Sequence, residues 1–128
     1  MRIENEIKLD YKDVLIRPKR SILRSRKEVI LRREYTFRNS GNCWWGIPIM
    51  AANMDGVGEL SVAEKLNDHR MITCLTKQHD IKKIKQNKNI KKIYTNIALS
   101  VGIKKEDFEN LDKVLKEFNF FKFICIDV

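Results

Sequence analysis

Breakers of regular structure are scarce in this chain, with two prolines and five glycines among 128 residues. So few, beside 43% hydrophobic residues, are not the profile of a disordered chain. The three cysteines, Cys43, Cys74 and Cys125, show no CxxC or other metal-ligand spacing, so no metal site is expected and a reducing compartment is the simplest setting. No stretch approaches the ~18 consecutive apolar residues of a membrane span. The polar start MRIENEIKLDYKD holds no apolar core of signal-peptide length. A soluble, cytoplasmic protein with no membrane partner is expected.

What the chain has in excess is positive charge, 26 basic against 17 acidic residues for a net charge of +9. Nucleic acid, a membrane surface or a phosphate-bearing small molecule would all suit that balance. The densest basic stretch, Arg17 to Lys27, reads either as a phosphate-binding arm or as a solvated one.

Four apolar runs stand out, 47–52, 71–76, 93–101 and 120–128, each about the length of a strand. Their near-continuous hydrophobicity predicts burial on both faces, as in a parallel sheet. Helical signals lie between them. Leu60, Val62, Ala63 and Leu66 have helix-like spacing, and Asp80 is placed to cap a helix entered at Ile81. The clearest helix is expected over 104–118. Phe108, Leu111, Val114, Leu115 and Phe118 form its apolar stripe, with Glu109–Lys113 and Asp112–Lys116 pairs on its wet side.

Alternating strands and helices predict an α/β fold, either a small open sheet or half of an eight-stranded barrel. A whole (β/α)8 barrel takes roughly 250 residues. The last apolar run has no covering helix after it, so the chain reads as truncated.

Reactive groups in parallel α/β folds gather where strands end. Asn53 and Asp55 follow the first run, Lys77, Gln78 and His79 the second, Ser100 lies near the end of the third, and Asp127 lies in the fourth. Such a rim suits a polar, phosphate-bearing substrate. Each residue also has a structural reading: Asn53 and Asp55 as caps of the next helix, Asp127 as a loop residue, Lys77 as a solvated lysine. Trp44 and Trp45 read as a plug at the base of the core or as a stacking platform.

The segments KLDYKDVLIRPKRS, TFRNS, GIPIMAANMD followed by VG, the lysine after the second run, and FICIDV resemble consecutive segments of the inosine monophosphate dehydrogenase and GMP reductase family. AANMD with the lysine context favours the reductase branch. The resemblance covers residues 1–128 and about the first third of that family's length. It implies an incomplete (β/α)8 TIM barrel, with residues 1–46 as an N-terminal arm and barrel-bottom segment and 47–128 supplying about the first four strands. It also implies a homotetramer that uses NADPH to deaminate GMP reductively to IMP and ammonia, with a monovalent cation as a further cofactor of the full-length enzyme.

In that family a cysteine attacks the purine carbon, ammonia leaves, and the nicotinamide delivers hydride to the same carbon. By resemblance Lys77 is the active-site lysine near the cofactor. Asp127, with Val128 beside it, matches the aspartate by the nicotinamide, and Ser25 and Arg26 reach the cofactor of a neighbouring subunit. Asn53 and Asp55 are carried as substrate-binding candidates. The family's cysteine lies in a later loop, so the isolated chain is expected to be inactive. Gly56 stands where the family has threonine, and Thr76-Lys77-Gln78-His79 replaces its His-Lys-His-Tyr. The alternatives from other classes are a small basic nucleic-acid-binding protein, which no recognised motif supports, and an interaction subunit docking through its strand edges.

Overall fold

A computed structural model describes residues 6–78 and 80–128; His79 lies outside the described residues. Residues 6–32 form an exposed arm with short 3-10 turns at Tyr11–Asp13 and Arg26–Glu28. Strands β1 (Arg33–Thr36) and β2 (Cys43–Gly46) then pair as an antiparallel hairpin, with Arg33 opposite Gly46 and Thr36 opposite Cys43.

The rest is strand and helix in alternation. Strand β3 (Met50–Ala51), helix α1 (Leu60–Asn67), strand β4 (Ile72–Leu75), helices α2 (Ile81–Gln86) and α3 (Ile90–Ile93), strand β5 (Ile97–Val101), helix α4 (Lys105–Glu117) and strand β6 (Phe123–Ile126) follow in order. The four later strands form one parallel sheet in the order β3-β4-β5-β6. An α/β architecture with a parallel sheet is therefore present.

Register sorts the side chains onto two faces, because residues directly opposite each other point the same way. Leu75 lies opposite Leu99, and together with Ile97 and Val101 they meet Ala63, Ile84, Ile90, Ile93, Leu111, Val114 and Phe118 from the helices. All four helices thus cover one face. The other face carries Ile72, Cys74 and Ala98, against which Trp44 of the hairpin packs. Helix α4 buries Leu111 and Val114, and Phe118 just beyond it is buried too. Burial of such side chains stabilises by ~1.5–3 kcal/mol each.

Several expectations need correction. Only β4 and β5 are buried on both faces; β3 and β6 are the edges, and Ile124 and Ile126 are 51% and 67% exposed. The run 47–52 yields a two-residue strand, since Ile47 spends its N–H on the Arg70 carbonyl at 3.0 Å and Pro48 has none to give. In the run 93–101 the residues up to Asn96 are helical, because Ile90 and Ile93 enter the core at a three-residue spacing, and the strand begins at Ile97. On α4 the partner of Glu109 is Lys105 at 3.9 Å; the expected Glu109–Lys113 and Asp112–Lys116 pairs do not form, and Phe108 is 48% exposed. Asp80 caps α2 as expected, its carboxylate accepting from the Lys82 and Lys83 N–H groups.

The two tryptophans separate. Trp44 is the plug: its Nε1–H donates to Asn96 Oδ1 at 2.8 Å, and Asn96 Nδ2 donates in turn to Asn67 Oδ1 at 2.8 Å. Trp45 faces outward with the guanidinium carbons of Arg32 and Arg70 at 5.2 and 5.1 Å from its ring centroid. Arg70 holds a left-handed backbone, φ +54°, just past the end of α1.

Candidate functional site at the carboxyl rim of the sheet

Because the four strands run parallel, the residues leaving them emerge at one rim. Asn53 follows β3, Lys77 follows β4, Gly102 follows β5 and Asp127 follows β6. Asp127 is fixed by its own backbone, which prolongs the ladder through an N–H bond to the Val101 carbonyl at 2.9 Å. Its Oδ2 accepts from Asn53 Nδ2 at 3.0 Å and lies 3.2 Å from Lys77 Nζ. Three chain segments therefore converge on one carboxylate oxygen.

Both bonds favour the ionised form. The Asn53 amide first, and then the Lys77 ammonium by hydrogen bonding and by charge, hold the Asp127 carboxyl below the ordinary carboxylate range. The Lys77 and Asp127 side chains remain 42% and 45% exposed, so a ligand can reach them. With Oδ2 occupied by two donors, Oδ1 has room to accept a further one, such as a carboxamide N–H. Lys77 offers the remaining ammonium protons to a carbonyl or phosphate oxygen. Those are the groups with which a carboxylate and a lysine can hold an amide-bearing ring, so the pair fits a nicotinamide.

Gly102 was not among the candidates, yet it sits close beside the rim lysine. A Cβ there would overlap Asp107 Oδ2 and come within 3.4 Å of Lys77 Nζ. The available signal was a glycine directly after the third apolar run.

The other candidates are placed apart. Neither Asn53 nor Asp55 caps α1, whose N-cap is Glu59. Asp55 is exposed and lines a separate cavity of about 410 Å³ with Glu59, Ser61, Thr76, Asp80 and Lys83. Gly56, between them, has φ +75°, a conformation that disfavours a β-branched residue. Ser100 lies within β5 and is buried. Val128 is 90% exposed. Ser25 caps the turn Arg26–Glu28 by accepting from the Lys27 N–H at 3.3 Å, and it and the exposed Arg26 sit in the arm, with no bond to the rim among the described residues.

The Cys74 thiol does not resemble an activated nucleophile. Burial, and then the neighbouring Cys125, push the Cys74 thiol up to about 11. Cys125 is half-buried on the same face, and Cys43 is exposed in the hairpin, 3.3 Å from Thr36 Oγ1. Among the described residues no group of three or more His, Cys, Asp or Glu side chains is placed to hold a metal ion. No helix among them is long and apolar enough to cross a membrane.

Against proteins of known name, the chain is 45% identical over 129 residues to a GMP reductase of Caenorhabditis elegans. It is 42% identical over 130 residues to the GMP reductases of Vibrio campbellii and Escherichia coli O81. The chain is homologous to GMP reductase. These alignments take in 99–100% of this chain but 36–38% of the relatives, so it spans little more than a third of the GMP reductases it matches. No family model matches it.

Proposed function

We propose that these 128 residues supply the cofactor-facing part of a GMP reductase barrel, in which NADPH reductively deaminates GMP to IMP and ammonia. The observation that carries the reading is the convergence of Asn53 and Lys77 on Asp127 at the carboxyl rim. Homology over the full chain supports it. The parallel sheet with helices on one face is compatible with the first four strands of a (β/α)8 barrel preceded by the arm 1–46.

When bound, NADPH supplies the hydride. Within this chain Asp127, kept ionised by its two donors, accepts from the carboxamide and so orients the ring. Lys77 lends positive charge and a donor where an oxygen of either ligand arrives. Asn53 is a positioning residue that holds the carboxylate still. Arg26 and Ser25, on an arm free of the rim, serve the cofactor of a neighbouring subunit in a homotetramer. Asp55 stands farther from this cluster and has the weakest claim to the substrate.

By itself the chain carries no turnover, because Cys74 is held protonated, Cys125 shares its apolar face and Cys43 lies in the hairpin beneath the sheet. Mixing it with GMP and NADPH should leave the reduced-cofactor absorbance unchanged, and loss above a heat-killed control overturns that part. Adding a chain with the remaining two thirds of a relative should restore turnover, with Lys77→Met lowering it by at least ~100-fold. Restored turnover that ignores Lys77→Met and Asp127→Asn overturns the assignment of the rim.

A second reading takes its support from the arm, where Arg17, Lys19, Arg20, Arg24, Arg26 and Lys27 are all exposed. It predicts binding to nucleic acid that weakens steeply with salt. Salt-independent or absent binding removes it.

A further inference from the structure

At the opposite end of the sheet, where the strands begin, the turn of the β1–β2 hairpin overhangs the start of β6 and encloses a cavity of about 390 Å³. We propose that this cavity is a second ligand site, for one planar aromatic or heterocyclic molecule carrying a phosphate, the size of a nucleoside monophosphate. It is independent of the rim and does not rest on the reading given above.

The lining makes the case. Phe37 and Phe123 pack with ring centroids 5.2 Å apart and form an aromatic wall, and Phe37 remains 37% exposed. An accessible aromatic pair inside a concavity offers a flat ring a stacking surface. Arg38 and Lys122 supply two positive charges from the two sides of the cavity, and neither has an acidic partner among the described residues. The lining contains no carboxylate. Two unpaired cations sharing a concavity repel each other until an anion lies between them, and a phosphate dianion neutralises both. The cavity beside α1 makes a useful contrast: of nearly equal volume, it is lined by Asp55, Glu59 and Asp80 and would reject the same ligand.

The polar rim is already organised. Phe37 N–H donates to the Asn42 carbonyl at 2.9 Å and Gly41 N–H to the Phe37 carbonyl at 2.8 Å, which pins the turn. Ser40 Oγ accepts from the Asn42 N–H at 3.2 Å and keeps its own proton to donate. Asn39 and Asn42 line the same cavity, and their side-chain amides have no protein partner among the described residues. Size limits the occupant, since cavities of ~300–1,000 Å³ hold small organic ligands, and this one, near the lower bound, is too small for a dinucleotide.

Titrating the full chain with AMP and following backbone amide resonances tests the site, with adenosine as the neutral control. AMP should shift residues 37–43 and 122–124, and adenosine should bind at least ~10-fold more weakly, the loss expected when one or two charge-assisted bonds are removed. The Arg38→Glu/Lys122→Glu variant should lose at least ~10-fold in AMP affinity, and the milder Arg38→Gln/Lys122→Gln variant should lose less; circular dichroism reports that each is folded. Lys77→Met should leave this binding unchanged, which separates its fate from that of the rim. Shifts confined to the rim, equal affinity for adenosine and AMP, or AMP affinity unaltered by the charge reversal would each overturn the proposal.

Discussion

Replacing Trp44 with phenylalanine should destabilise the fold by ~3–5 kcal/mol, more than half of what a marginal domain possesses. Trp44 is 8% exposed and Asn96 6%, so the bond from the indole N–H to Asn96 Oδ1 lies out of water. Phenylalanine offers no donor, and a buried carbonyl oxygen left without one costs ~1–3 kcal/mol. The smaller ring also gives up the volume of about two methylene groups, at ~0.8 kcal/mol each. Asn96 does not simply turn away, because its Nδ2 is engaged with Asn67 Oδ1 at the end of α1. The bond's own share is isolated by adding Asn96→Leu to Trp44→Phe, which removes the stranded acceptor with its donor. The double variant should be less destabilised than the sum of the two singles by ~1–3 kcal/mol. Urea unfolding followed by circular dichroism, at unchanged slope, measures all three. A loss below ~1 kcal/mol for Trp44→Phe, or strict additivity, would refute the view that this bond holds the hairpin to the sheet.

Other outcomes follow from single environments. Asp127 should titrate below the ordinary carboxylate value of ~3.9. With its folded pKa depressed, its contribution to stability is complete above the unfolded value and disappears as pH falls through the folded one. Lys77→Met should move the carboxyl part of the way back up, while the Asn53 bond keeps it lowered; a side-chain carboxyl titration by NMR that finds Asp127 unmoved sinks the cluster. Alkylation at pH 8 should label the exposed Cys43 long before Cys74. With its thiol near 11, Cys74 is thiolate to roughly one part in a thousand; mass spectrometry showing Cys74 modified first contradicts its burial. Gly56→Thr should lower thermal stability by ~1–3 kcal/mol, since a β-branched residue is strained at φ +75°, and a gain in stability would mean that the loop takes another conformation.

Sequence pattern reached far into the fold where periodicity and burial agree. The buried strands β4 and β5, the cap at Asp80 and the stripe Leu111, Val114 and Phe118 all follow from spacing alone. Patterns failed where two structures use the same residues. Residues 93–96 look like the lead-in to a strand but are helical, and a run of apolar letters does not say which strand stands at an edge, so the exposure of Ile124 and Ile126 was invisible. At the rim, the strand-end rule singled out Asn53, Lys77 and Asp127, residues separated by 74 positions at most, which the structure joins. The rule also swept in Asp55, which leaves in another direction. Gly102 escaped because what matters there is a missing side chain.

Arg70 complicates the reading of a mutational scan. Glycine is the residue usually found where a helix ends left-handed, and Arg70→Gly would relieve ~1 kcal/mol or more of backbone strain. The same change removes one of the two guanidinium groups set against Trp45, a loss of ~0.5–1 kcal/mol. The two effects oppose each other, so glycine would score as neutral and the position would pass for unimportant. Alanine, which keeps the strain and loses the stack, is the informative letter at this position, and the difference between the two scores measures the backbone alone.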